Sequence, residues 1–236
     1  MMYKLSVVVP CYNEEKSLPQ LVEGFSESIS SNDIELLLVN NGSTDSSLSV
    51  MKKLVKKHSY MRIVNVKKNI GYGHGIMTGL KSARGSFVAW THADLQTPPS
   101  DVMKAFDIME KQPNHQSCYI KGRRRNRPFT DLFFSWGMSF VTSFLLGEWM
   151  YDIYAQLNLF HKSFLKKIKN PPANAFLDIY AYYTAKKCEL SLIRFPVYFG
   201  KRRYGISRNI TAKFNFVLDT IKYLLALRSE AKNEKA

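Results

Sequence analysis

The feature that most constrains the fold is an alternation in the first 115 residues. Short apolar runs, YKLSVVVP (3–10), IELLLVN (34–40), MRIVNV (61–66) and GSFVAW (85–90), are separated by segments with helical spacing. Leu18, Leu21, Val22, Phe25 and Ile29 share one helical face, as do Leu48, Met51, Leu54 and Val55. A βαβαβαβ order predicts a mostly parallel sheet flanked by helices, because a parallel connection needs a crossover that packs on a sheet face. In such sheets ligands bind beyond the carboxyl ends of the strands. Four polar loops fall at those ends, at Asn13–Glu14, Asn40–Asp45, Asn69–Gly75 and His92–Gln96.

The second half reads as a strand at CYIKG (118–122), a basic loop, an apolar segment and a strand at 155–162. A helix over 174–187, a strand at ELSLIRFPV and an amphipathic helix over 211–228 follow. At 236 residues and 45% hydrophobic, the chain suits one domain with a substantial core. We expect that domain to span 1–236, with two halves at 1–115 and 116–236. The net charge of +15 calls for an anionic partner, whether nucleic acid, a membrane face or phosphorylated small molecules. Nucleic acid is disfavoured, since the aromatic residues gather in one apolar run rather than interleaving with basic ones. Cys11, Cys118 and Cys188 lie far apart, which argues for a reducing compartment and against structural zinc.

Residues 132–151, LFFSWGMSFVTSFLLGEWMY, are too polar for a membrane span of about 20 apolar residues. They read either as helices lying at a membrane interface, anchored by Trp136 and Trp149, or as core helices. The stretch THADLQTPP (91–99) sets His92, Asp94 and Gln96 at alternate positions, each able to lend an electron pair to a cation. One carboxylate and one amide oxygen suffice for magnesium or manganese when a diphosphate completes the shell. Asn40, Asn41 and Asp45 can hydrogen-bond a base and ribose, while Ser43, Thr44 and Asp45 are also ordinary helix-start residues. Gly71, Gly73 and Gly75 do not fit G-x-G-x-x-G, because Ile76 holds the last place; they suggest close backbone approach to a ligand. Glu14 either bonds the nucleoside or starts a helix with favourable charge. GRRRNR (122–127) and GKRRYGISR (200–208) are arginine clusters able to grip phosphates.

These motifs together resemble the family 2 glycosyltransferases, above all those acting on dolichol and other polyprenyl phosphates. Pro10-Cys11-Tyr12-Asn13-Glu14 is similar to P-x-Y-N-E, and Asn40-Asn41-Gly42-Ser43-Thr44-Asp45 to D-D-G-S-T-D. His92-Ala93-Asp94-Leu95-Gln96-Thr97-Pro98-Pro99 resembles D-A-D-L-Q-x-P-P, and Asn69-Ile70-Gly71-Tyr72-Gly73 the glycine loop. Looser matches continue to residue 208: Lys121–Arg124 to K-G-S-R, Asp152–Asn158 to D-x-x-x-G-F-R, and Lys201–Arg208 to D-R-x-x-G-x-S-K. The chain departs from the pattern at Asn40, Asn41 and His92, each standing where the family has aspartate. Imidazole suits transition ions better than magnesium, so His92 either ligates a metal or touches the nucleotide.

The resemblance implies a GT-A-like, Rossmann-like α/β sheet and inverting transfer from a nucleotide-sugar, with magnesium or manganese. The acceptor it implies is a polyprenyl phosphate, with a soluble or glycan acceptor, or non-catalytic nucleotide-sugar binding, as alternatives. Pro10, Tyr12, Asn13, Glu14, Asn40, Asn41, Asp45, Asn69, Gly71, Gly73, His92, Ala93 and Asp94 would meet the donor. Asp94 and Gln96 would hold the metal. Arg123, Arg127, Arg202, Ser207 and Arg208 would hold the acceptor phosphate, and Asp152 and Asp94 would be catalytic. A phosphate dianion attacks with little help, since its second pKa is about 6, so Asp152 is expected to orient an arginine or the acceptor. The chain would work in the cytoplasm, at the inner face of a membrane. There it would be peripheral or held by a membrane-anchoring partner protein, as LALRSEAKNEKA carries no span.

Overall fold

The computed structural model describes residues 3–126, 129–198, 200 and 210–233. The strands are β1 (Leu5–Cys11), β2 (Ile34–Asn41), β3 (Met61–Val66), β4 (Phe87–Trp90), β5 (Cys118–Arg125), β6 (Asn158–His161) and β7 (Ser191–Tyr198). The helices are α1 (Leu18–Ser28), α2 (Ser47–Val55), α3 (Tyr72–Ser82), α4 (Ser100–Glu110), α5 (Phe129–Leu146), α6 (Leu177–Lys187) and α7 (Ile210–Asn233).

Every residue of β1 and β2 is buried, as expected of strands covered by helices on both sides. They sit inside one sheet of order β3-β2-β1-β4-β6-β5-β7. Neighbours β1–β2, β2–β3, β1–β4 and β5–β7 pair in parallel, whereas β6 is antiparallel to both β4 and β5. The sheet is thus mostly parallel with one reversed strand, and it runs without a break through both halves of the chain. Periodicity over 155–162 could not reveal the reversal. Strand β6 is only four residues long, and residues 155–157 lie outside it.

One core lies on the face covered by α1, α2 and α4, and a second under α3 and α6. A third cluster joins the end of α5 to α6 and α7 through Leu146, Met150, Ile179, Tyr182 and Leu224. The seat of α3 depends on Gly79, where an added Cβ would stand 2.4 Å from Val8 Cγ1 and 2.8 Å from Val39 Cγ2. Gly79→Ala is therefore expected to lower stability by about 1–3 kcal/mol through overpacking, even though alanine favours helix. Urea unfolding checks this, and a stabilised variant would contradict the close packing.

One expectation changes here, and one open choice narrows. The basic segment at 122–125 is strand rather than loop, because pairing runs from Gly122↔Phe195 to Arg125↔Tyr198. The aromatic stripe of α5 faces outward. Phe129, Phe133, Phe134, Trp136, Phe140 and Phe144 are 54–75% exposed, while Ser139 and Thr142 are buried. An ordinary surface helix does the reverse. Of the two readings of 132–151, the core-helix one does not describe this face. No helix among the described residues is long and apolar enough to cross a membrane.

Candidate functional site

The four polar loops meet at the carboxyl ends of β1, β2, β3 and β4. Asn13, at φ 56°, fastens the first to the second: its Oδ1 accepts from Thr44 N at 2.9 Å and Asp45 N at 3.4 Å. Its own N–H donates to Ser43 Oγ at 3.2 Å. The Glu14 carboxylate accepts from Ser17 Oγ at 2.5 Å, just before α1, which favours the helix-start reading. Asp45 accepts from Ser47 N at 2.9 Å and Glu15 N at 3.3 Å. Burial pushes its carboxyl up, but the bonds from Ser47 and Glu15 outweigh this and hold it below the usual range. Tyr12 stands 46% exposed at this rim, while Pro10 lies buried within β1.

Asn40 and Asn41 are buried. Asn40 Nδ2 donates to Asn65 Oδ1 at 2.6 Å, and its Oδ1 accepts from Ser43 N at 3.2 Å. Asn41 Nδ2 donates to the Gly71 carbonyl at 3.0 Å and approaches Asn69 Oδ1 at 3.5 Å. An aspartate at 41 could not make the Gly71 bond, since a carboxylate only accepts. The departure from the family motif thus has a local cause: it locks the second loop to the third. Gly71 and Gly73 also admit a close approach, but the approaching group is protein. An added Cβ would lie 2.3 Å from Ala173 O at Gly71 and 2.3 Å from Pro172 O at Gly73.

Beyond β4, Ala93 is buried and Asp94 is only 9% exposed. Asp94 Oδ1 accepts from Gln96 N at 3.2 Å across Leu95, which has φ 59°. Gln96 Nε2 donates to Gly200 O at 3.1 Å, leaving Oε1 as the atom a cation could take. The His92 ring stacks on Tyr72 at 5.2 Å, with Nε2 3.3 Å from the Tyr72 hydroxyl. Among the described residues no three acidic, histidine or cysteine side chains gather as a ligand cage. One carboxylate at a rim does not suit zinc, which wants three or four protein ligands. It fits magnesium or manganese, which keep water and substrate phosphates in their shells.

The second half of the chain contributes a second charged group. Asp152, at φ 50° and 2% exposed, accepts from Arg124 N and Arg124 Nε at 2.7 Å each and also from Arg124 Nη2. Its own N–H donates to Ser139 Oγ of α5 at 3.2 Å. Arg123 lies over the Tyr151 ring at 5.8 Å and lines a hollow of about 510 Å³ with Trp136, Trp149, Tyr182, Lys186 and Arg194. Arg127, Arg202, Ser207 and Arg208 lie outside the described residues.

Sequence reasoning missed the buried polar network between these groups. Lys121 Nζ is wholly buried, donating to Asn158 Oδ1 at 2.9 Å and Ala155 O at 3.2 Å, with Asp178 Oδ1 3.9 Å away. Burial pulls its pKa down to about 8 despite the Asp178 charge. Asp178 also accepts from Gln156 and Asn158, and Gln156 Nε2 lies 3.2 Å from the Tyr72 hydroxyl. A lone lysine inside the apolar run CYIKG and a lone aspartate inside FLDIYAYY were the available signals.

The chain is thus a mixed, mostly parallel α/β sheet with polar loops gathered at the carboxyl ends of its strands, Asp94 among them, and an Arg124–Asp152 pair from its second half. Residues 6–169 match Glycosyl transferase family 2, and the chain belongs to that family. It is 28% identical over 239 residues to a dodecaprenyl-phosphate galacturonate synthase of Rhizobium johnstonii, covering 97% of this chain and 69% of that protein. It is 35% identical over 127 residues to an undecaprenyl-phosphate 4-deoxy-4-formamido-L-arabinose transferase of Proteus mirabilis, covering 52% and 38%. The corresponding transferase of an Enterobacter species is 27% identical over 218 residues, covering 87% and 62%. The chain thus spans between 38% and 69% of the length of these relatives. The fold is that of glucosyl-3-phosphoglycerate synthase from Mycobacterium tuberculosis, solved with Mn2+, UDP and glucosyl-3-phosphoglycerate. The TM-score is 0.74 at 17% identity, over 96% of this chain and 80% of that one.

Proposed function

We propose that this chain transfers a sugar, with inversion, from a nucleotide-sugar to a polyprenyl phosphate at a membrane face. The observation that carries the acceptor is α5. Its aromatic ridge points outward, while Ser139 on its reverse side holds the Asp152 backbone of the arginine pair. Arg123 and Arg194 border the hollow between that ridge and the sheet, where a lipid's phosphate would be drawn. The relatives named for dodecaprenyl- and undecaprenyl-phosphate substrates point the same way.

Asp94, with Gln96 Oε1, would hold a magnesium or manganese ion, which when bound neutralises charge on the departing nucleoside diphosphate. The rim loops would grip the nucleotide, Tyr12 offering an exposed ring and the Asn13, Asn40 and Asp45 side chains setting the loops' shape. The acceptor's phosphate dianion needs no strong base. Asp152, already accepting three bonds from Arg124, fixes that guanidinium for the incoming phosphate. The chain would act at the cytoplasmic face, peripherally or beside a membrane-anchoring partner.

Screening nucleotide-sugars for thermal stabilisation with and without manganese, then assaying transfer to a short polyprenyl phosphate, tests the reading. Stabilisation without transfer to lipid would move the acceptor to a soluble or glycan compound; no stabilisation by any donor would end the transferase reading. The ridge gives a separate expectation. Phe133→Ser, Phe140→Ser and Phe144→Ser combined should abolish flotation with anionic vesicles, since each buried ring contributes about 1.5–3 kcal/mol. Unchanged flotation would remove α5 from the membrane contact.

A further inference from the structure

His92 stands where the family motif carries an aspartate, and the hydrogen bonds behind it determine what its ring can do. The chain of reasoning starts at Asp178, 3% exposed, whose carboxylate can only accept. Gln156 meets it at 3.2 Å, so the amide end facing Asp178 is the NH2 group. The same nitrogen lies 3.2 Å from the Tyr72 hydroxyl and has only protons to give, so the Tyr72 oxygen accepts. Tyr72 has one proton; the Trp90 indole, which also meets the hydroxyl, can only donate, so the acceptor left for that proton is His92 Nε2 at 3.3 Å. Burial, with the Asp178 and Asp94 charges, raises the phenol far above its ordinary range, so that proton is retained. No other acceptor for it is found among the described residues; leaving it unbonded would cost about 1–3 kcal/mol. Nε2 must then present its lone pair to Tyr72, and the ring proton sits on Nδ1.

We propose that Asp178, Gln156 and Tyr72 are positioning residues that hold His92 as the Nδ1–H tautomer. In that state neither ring nitrogen has a lone pair for a cation. His92 can donate to an oxygen anion but cannot ligate a metal, and Asp94 is left as the sole charged ligand. A centre of oxygen donors selects magnesium or manganese over zinc, cobalt or nickel. The cation and the diphosphate it meets rest on the transferase reading; the tautomer does not.

Long-range proton–nitrogen NMR of the metal-free protein, labelled with 15N-histidine, separates the two ring nitrogens. His92→Gln identifies the His92 signals among the five histidines. Expected are a protonated Nδ1 and a bare Nε2 in the wild type, and a switch to the Nε2–H form in Tyr72→Phe. Asp178→Asn should give a mixture, because an amide at 178 no longer dictates which way Gln156 points. Should Asp178→Asn fail to fold, Tyr72→Phe still decides. Zinc affinity should rise about tenfold or more in Tyr72→Phe, as is common when a ring's hydrogen-bond partner changes, while manganese affinity stays flat. A wild-type His92 protonated on Nε2, or an unchanged tautomer in Tyr72→Phe, overturns the proposal. The Nδ1–H form together with no stabilisation by any nucleotide-sugar would sustain the relay and overturn the transferase reading instead.

Discussion

Asp94→Asn is expected to reduce sugar transfer about a thousandfold, or roughly 4 kcal/mol of transition-state stabilisation. The size follows from the shortage of alternatives. Among the described residues no acidic, histidine or cysteine cluster could take over a cation, and Gln96 offers one neutral oxygen. Asparagine keeps the shape of the turn, because its own oxygen can still accept from Gln96 N, so the fold should survive. Binding can be read without turnover. At a hundred times Kd, manganese with a nucleotide should stabilise the wild type by about 2.7 kcal/mol, or ~5–10 °C in Tm for a chain of this size. The variant should show almost none of that manganese-dependent shift. Equal shifts in both proteins would remove Asp94 from the metal site.

Asp178→Ala is expected to lower stability by about 3–5 kcal/mol, on the order of 10 °C in Tm. It strips the counter-charge from Lys121, which is 0% exposed, and leaves the donors of Gln156 and Asn158 facing a void. Lys121 also carries a pH signature. Its pKa falls from 10.5 unfolded to about 8 folded, burial being the first cause. Below pH 8 both states hold the proton and the folded state bears the whole desolvation penalty. Between about 8 and 10.5 the unfolded state binds more protons, so this group makes stability rise with pH. The wild type should gain on Lys121→Met by on the order of 3 kcal/mol across that window. Urea unfolding at several pH values measures it, and a flat difference would mean that the lysine is solvated.

Much of this architecture was legible along the chain because it is written locally. Uninterrupted apolar runs such as LSVVVPC mark strands buried on both faces, and the polar loops that follow them share one edge by the geometry of parallel crossovers. What stayed hidden depends on partners distant in sequence. The strand character of 122–125 comes from pairing with β7, some seventy residues on. Lys121 and Asp178 meet only because β5 lies beneath α6. Gly71 and Gly73 announce a close approach, yet nothing nearby says that the visitor is the 172–174 backbone rather than a nucleotide. The spacing of Phe129, Phe133, Trp136, Phe140 and Phe144 fixes a stripe on α5, while its direction depends on what Ser139 and Ser143 bond to inside.

That reversed helix has a mechanical consequence. Its inner serines accept the N–H groups of Met150 at 2.9 Å and Asp152 at 3.2 Å, so the rod that shows its rings to the exterior also steadies the segment gripping Arg124. On the membrane reading proposed above, pressing the outer side onto a greasy support would act through the same helix that holds the Arg124 partner on its inner side. Where such a protein rests would then bear on how its guanidinium is aligned.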